Sequence, residues 1–167
     1  AEAAHRVDAD ILVNLQGDAP LTPAWFVEAV INAMRDDPDV QVTTPVLRVD
    51  QQSYAQFIND RKRGHVGGTT AVFRDSYDAL YFSKEVLPWI DARRIPDPIP
   101  VWHHVGVYAY RHAALQAYAE WEEGTLEAME GLEQLRFLEH GESVRCVPVD
   151  ARGHEFWELN NPHHVER

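Results

Sequence analysis

Ten residues near the amino end constrain the fold more than any others. The run Ile11-Leu12-Val13-Asn14-Leu15-Gln16-Gly17-Asp18-Ala19-Pro20 begins apolar, stops at a glycine and turns to a carboxylate. A continuous apolar stretch cut off by Gly is the pattern of a buried central strand in a parallel sheet. Open parallel sheets bind ligands beyond the carboxyl ends of their strands, so Asp18 is expected at the mouth of a site. Mg²⁺ commonly takes one or two protein carboxylates and completes its shell with water and substrate phosphates. A single Asp there suits a phosphate-bound ion. An Asp in this position also caps turns and helices, and the local sequence leaves both readings open.

Composition narrows the classes. A chain of 167 residues, 45% of them hydrophobic, suits one α/β domain with a real core. No apolar run approaches the roughly 20 residues that cross a bilayer. The first residues, Ala1-Glu2-Ala3-Ala4-His5-Arg6, lack the features of a secretory signal. A lone cysteine, Cys146, excludes an internal disulfide framework and fits a reducing, cytoplasmic setting. Its alternating surroundings predict a buried small hydrophobe. The formal charge of −12 argues against nucleic-acid binding, which needs a basic footprint. The same charge suits an anionic nucleotide only if a metal bridges the two.

Strand-like and helix-like periods alternate along the chain, which predicts a layered α/β sheet. Thr22-Pro23 reads as N-cap and first helical residue of a helix carrying Phe26, Val27, Val30, Ile31 and Met34 and stopped by Asp36-Asp37-Pro38. Residues 40–47 predict a core strand, 53–58 a short helix, and 59–68 a polar, basic, glycine-containing loop. Residues 69–74 and 79–83 read as strands joined by Asp75-Ser76-Tyr77-Asp78. Three prolines make 91–100 an extended arm. A strand over 105–110 contains Gly106, which permits close backbone approach. Helices are expected over 112–121 and from Thr125 to about His140, closed by Gly141, and a last strand over 144–149. Asn160-Asn161-Pro162 signals a turn.

Polar residues on apolar faces mark candidate chemistry. On a continuous helix from Thr125, Glu133 falls among Leu126, Met129 and Phe137. A carboxylate on such a stripe needs a partner or a shifted pKa. Arg136 could pair with it, or Glu133 and Gln134 could face a polar ligand. Alternation puts His104, Gly106, Tyr108 and Tyr110 on one strand face, suited to a sugar or to a half-buried face with satisfied tips. His163-His164 alone does not make a zinc site. Walker, GxSxG and GxGxxG patterns are absent from the sequence.

Four stretches together resemble the sugar-acid cytidylyltransferases, most closely the CMP-KDO synthetases (3-deoxy-manno-octulosonate cytidylyltransferases). They are residues 13–20; Ala79-Leu80-Tyr81-Phe82-Ser83-Lys84 with Pro88-Trp89; His104-Val105-Gly106-Val107-Tyr108-Ala109-Tyr110-Arg111; and Leu126-Glu127 followed by Leu132-Glu133-Gln134-Leu135-Arg136. Their order and spacing are similar to the family's across nearly the whole chain. The resemblance implies a three-layer, Rossmann-like α/β nucleotidyltransferase fold with a mixed, mostly parallel sheet. It implies transfer of CMP from CTP to the anomeric hydroxyl of 3-deoxy-manno-octulosonate (KDO) or a similar sugar acid, releasing pyrophosphate, in lipopolysaccharide biosynthesis. Mg²⁺ would be held by Asp18, the catalytic aspartate, and Asn160. Sugar-acid contacts would come from Gln16, His104, Tyr108, Glu133 and Gln134. CTP and the sugar acid are the implied partners, with no membrane insertion and a homodimer. A nonulosonic-acid cytidylyltransferase and a non-catalytic sugar-acid or partner-binding homologue are the alternatives.

The chain departs from the family's pattern in three places. Asn160 stands where the family usually has a second metal-binding Asp; an amide oxygen is still a hard ligand, though uncharged. Ala19 replaces a usual Glu. The family's basic phosphate loop has no counterpart before Asp18. Residues 1–167 are therefore expected to form a single domain equivalent to the C-terminal two-thirds of the family's domain, N-terminally incomplete and weak toward CTP.

Overall fold

The structure, a computed structural model, describes residue 4 and residues 6–17, 22–66 and 68–153. Among these, the sheet is organised around β2 (Val42–Arg48), whose first five residues are buried. One edge of β2 pairs in parallel with β7 (Arg145–Val149), from Thr43↔Arg145 to Leu47↔Val149. The other edge pairs antiparallel with two successive segments, β5 (Trp102–His104) and β6 (Val107–Tyr110). His104 aligns with Val46 and Ala109 with Thr43, so Val105–Tyr108 oppose only Thr44 and Pro45. Extra residues on one side of a ladder bend that strand. Here the bend splits the sheet. β1 (Leu12–Leu15) continues from β6, while β3 (Thr69–Phe73) continues from β5 and carries β4 (Ala79–Ser83) beyond it.

Helices cover both faces, as a three-layer architecture requires. Alternation along β6 sends Val107 and Ala109 to one side, where they meet Phe26, Val30 and Met34 of α1 (Ala24–Asp36). Tyr108 and Tyr110 face the other side, where Tyr110 stacks on Phe137. That layer holds α3 (His112–Glu120), α4 (Thr125–Glu130) and α5 (Leu135–Glu139). Phe82, Leu135, Val144 and Cys146 fill its core, and burial pushes the Cys146 thiol up to about 12. A third cluster sets Tyr54 and Phe57 of α2 (Gln51–Lys62) against Ile99 and Val101.

The structure corrects four expectations. The sheet is not mostly parallel: among the described strands only β2 and β7 pair in parallel. β1, β2 and β7 do run the same way, but antiparallel β6 lies between β1 and β2. Hydrophobic period cannot report which strand becomes a neighbour. For the same reason β1 is not central among the described strands: it ends their order, and Leu15 is 54% exposed. The short helix at 53–58 is longer because Asp50 accepts the Ser53 N–H at 2.7 Å and starts α2 at Gln51.

The fourth correction concerns the continuous helix from Thr125. Gly131, in the left-handed conformation at φ 61°, ends α4. Met129 is 78% exposed rather than core-facing. Glu139 accepts the Leu126 and Glu127 N–H groups at 2.8 and 3.0 Å, capping α4 from α5. Arg136 pairs with Glu127, not Glu133, through two bonds of 2.6 and 2.7 Å, with Tyr118 under its guanidinium. This pairing holds the Glu127 carboxyl below the usual carboxylate range. The stability it provides is present above the unfolded carboxylate pKa and is lost as pH falls through the lowered value. Removing one member of a buried pair costs about 3 kcal/mol or more, so Glu127→Ala should lower the urea-unfolding free energy by that order at pH 7. Glu133→Ala, at an exposed position, should change it by no more than about 0.5 kcal/mol.

Candidate functional site

The cleft lies where β1 and β3 part. Val107 N–H bonds back to the Val105 carbonyl at 2.7 Å, a tight turn centred on Gly106. Beyond the turn opens a cavity of about 410 Å³. Gln16, at the end of β1, lines it together with His104, Tyr108, Glu133 and Gln134. Every sugar-contact residue named from the sequence thus meets in one place. Asp18 and Asn160, the expected metal positions, lie outside the described residues. Among the described residues no cluster of three or more His, Cys, Asp or Glu side chains gathers.

Each wall has a local cause. His104 is wedged between Phe82 and Tyr108, with ring centroids 5.0 and 5.4 Å away. Its Nε2 lies 2.9 Å from the Thr44 hydroxyl. Burial, aided by the charge on His103, pulls its pKa down to about 3, so the ring is neutral at physiological pH. Tyr108 stacks on Tyr110 at 5.8 Å. Burial, then the charge on Glu133, raises the Tyr110 phenol well above its ordinary value. Glu133 and Gln134 arrive through the break at Gly131. Gln134 is only 5% exposed, and its Nε2 has no hydrogen-bond partner. An unpaired buried donor costs about 1–3 kcal/mol, so this amide is poised for a ligand acceptor. A second cavity of about 460 Å³, floored by Tyr110, Tyr118 and Phe137, shares Tyr108, Glu133 and Gln134 with the first.

Three functional features were not singled out from the sequence. Lys84 is the only Lys or Arg among the described residues lining the cleft. Its ammonium lies 2.9 Å from where a Cβ on Gly131 would sit, so Gly131 makes room for it as well as for the turn. Glu130 fixes its backbone, accepting the Lys84 N–H at 2.8 Å and the Ser83 hydroxyl at 2.7 Å. Arg61 donates to the carbonyls of His65 and Gly68 and so shapes the wall at Gly68. A Cβ at Gly68 would approach Phe57 Cζ to 2.8 Å, so glycine is required there. The sequence signal for Lys84 was its place at the end of the Ala79–Lys84 stretch. Arg61 and Thr44 gave none: Arg61 serves loop carbonyls four and seven residues on, and Thr44 pairs with a ring and carbonyls about sixty residues away.

A His with a lowered folded pKa makes the unfolded state the stronger proton binder, so stability falls as pH drops from about 6.5 toward about 3. His104→Gln should therefore narrow its stability gap to the unsubstituted chain by about 2 kcal/mol between pH 7 and pH 5. Urea unfolding at the two pH values checks this; an unchanged gap would mean that the fold does not lower the His104 pKa.

Comparison with known proteins places these features in context. A family described as cytidylyltransferase matches residues 1–144. The 3-deoxy-manno-octulosonate cytidylyltransferase of Maricaulis maris is 41% identical over 161 residues, covering 96% of this chain and 61% of that protein. Its namesake in Syntrophus aciditrophicus is 34% identical over 100% of this chain and 63% of its own length. A solved structure described as CMP:2-keto-3-deoxy-manno-octonic acid synthetase complexed with CTP superimposes with a TM-score of 0.79 at 32% identity. It covers 99% of this chain and 62% of its own. The chain thus spans about three-fifths of the length of these relatives.

Proposed function

The chain belongs to the cytidylyltransferase family, and we propose that the complete enzyme transfers CMP from CTP to the anomeric hydroxyl of KDO or a similar sugar acid. Pyrophosphate leaves, and the product serves lipopolysaccharide synthesis. One observation carries this reading: Gln16, His104, Tyr108, Glu133 and the unpartnered Gln134 amide converge on one cleft beside the Lys84 ammonium. A sugar acid has the complementary groups. Its carboxylate suits the Lys84 ammonium. Its hydroxyls suit the Glu133 carboxylate, which accepts, and the Gln134 amide, which donates. Tyr108, stacked on Tyr110, adds an aromatic wall.

The reaction is an in-line displacement. A bond forms from the anomeric oxygen to the α-phosphorus as the bond to pyrophosphate breaks. Such transfers rest on positioning and charge neutralisation. The cleft residues orient the anomeric oxygen and hold it away from bulk water. Asp18 and Asn160 offer hard oxygen donors of the kind Mg²⁺ takes, and the bound ion would neutralise phosphate charge. A cytoplasmic enzyme fits CTP as donor; among the described residues no helix is long and apolar enough to cross a membrane. A homodimer is part of the same reading, supported by two exposed apolar side chains, Trp89 at 81% and Ile95 of the 91–100 arm.

Steady-state kinetics of the full-length enzyme test the assignment. Gln134→Ala and Lys84→Met should raise KM for KDO by about tenfold or more, with KM for CTP unchanged. Asp18→Ala should abolish turnover while leaving the circular dichroism spectrum intact. Retained turnover in Asp18→Ala, or no change in either KM, would reject the reading.

A further inference from the structure

The Thr44 hydroxyl sits among three polar atoms at the bend of the sheet. His104 Nε2 is 2.9 Å away, the Val107 carbonyl 2.9 Å and the Val105 carbonyl 3.2 Å. A hydroxyl has one proton to give and two lone pairs to receive with. The Val107 carbonyl is the nearer of the two and takes the Thr44 proton. The Thr44 oxygen is then left as an acceptor toward the ring. Were the hydroxyl to donate to Nε2 instead, its oxygen would face two carbonyl oxygens at 2.9 and 3.2 Å with no proton in either gap. Buried acceptors avoid that arrangement.

We infer that Thr44 is a positioning residue that locks His104 as the Nε2–H tautomer, leaving Nδ1 as a bare acceptor for a substrate hydroxyl. The proton on a neutral imidazole is placed by the bond its other nitrogen makes. Here that bond is spent on the sheet side, and Nδ1 is the only polar ring atom left for the cleft. The ring then accepts from an O–H and rejects a carbonyl or ether oxygen at the same point. Thr44 never touches substrate; it acts through the ring. The bend generates the arrangement, because only there do Val105 and Val107 both turn their carbonyls toward one side chain of β2. The substrate part of this inference rests on the proposed function. The tautomer part does not.

The test has two arms. Ring ¹⁵N shifts of His104 in the unliganded chain report which nitrogen is protonated. The expected result is a pyridine-type Nδ1 and a protonated Nε2, in the unsubstituted chain and in Thr44→Ser. Thr44→Val, which keeps the shape but not the hydroxyl, should shift the ring toward the Nδ1–H form. Calorimetric titration of KDO into full-length enzyme should then show roughly tenfold weaker binding for Thr44→Val. Thr44→Ser should restore it, and KM for CTP should be unmoved. A protonated Nδ1 in the unsubstituted chain overturns the lock, and so does an unchanged tautomer in a folded Thr44→Val. If the tautomers behave as expected but KDO binds no variant, the lock stands and the sugar-acid reading falls.

Discussion

The structure turns on a mismatch of length between two paired strands. Val105–Tyr108 must be accommodated opposite Thr44 and Pro45. Proline has no N–H to offer a ladder, and Gly106 permits the turn that absorbs the surplus. Because the bend divides one strand into β5 and β6, the sheet edge forks, and β1 and β3 leave it in separate directions. The cleft is the space between them. The bend also aims His104, the Val105 and Val107 carbonyls and Tyr108 toward one region. The same backbone irregularity therefore creates the cavity and presents its chemistry.

A second irregularity completes the site from above. Gly131 breaks what would otherwise be one long helix, and the resulting turn carries Glu133 and Gln134 over the fork. The turn is tied to both helices by backbone bonds, from Gly131 and Leu132 N–H to the Glu127 carbonyl and from Leu135 and Arg136 N–H to the Leu132 and Glu133 carbonyls. It is held from both sides by bonds between the flanking helices: Glu127 with Arg136, and Glu139 with the first turn of α4. The buried ion pair thus places the turn as well as holding the two helices together. In a chain of charge −12, Lys84 is a local exception at the cleft, and Gly131 leaves the space it occupies.

Local chemistry was legible in the sequence, and partnership was not. The turn at Asp75–Asp78, the stop at Asp36-Asp37-Pro38 and the shared face of His104, Tyr108 and Tyr110 follow from residue type and period, and the structure has each of them. The centrality of β1 and the parallel sheet do not follow, because pairing is decided by strands distant in sequence. Glu133 is the instructive case. Helical phase pointed to it on the assumption of a continuous helix with Leu126 and Met129 inside. The helix is broken and both are exposed, yet Glu133 lines the cleft, brought there by the break itself. Arg136 has its partner six positions earlier than supposed, since the turn at Gly131 folds α4 back against α5.

The central claim is that the fork of the sheet is where a sugar acid binds. Amide and ring chemical-shift mapping of the chain during titration with KDO tests it most directly. The account predicts that the Gln134 side-chain amide and the His104 and Tyr108 ring signals move first and furthest, as the orphaned donor finds its acceptor. Saturation by KDO that leaves these three unmoved, with shifts clustered elsewhere on the surface, would contradict it.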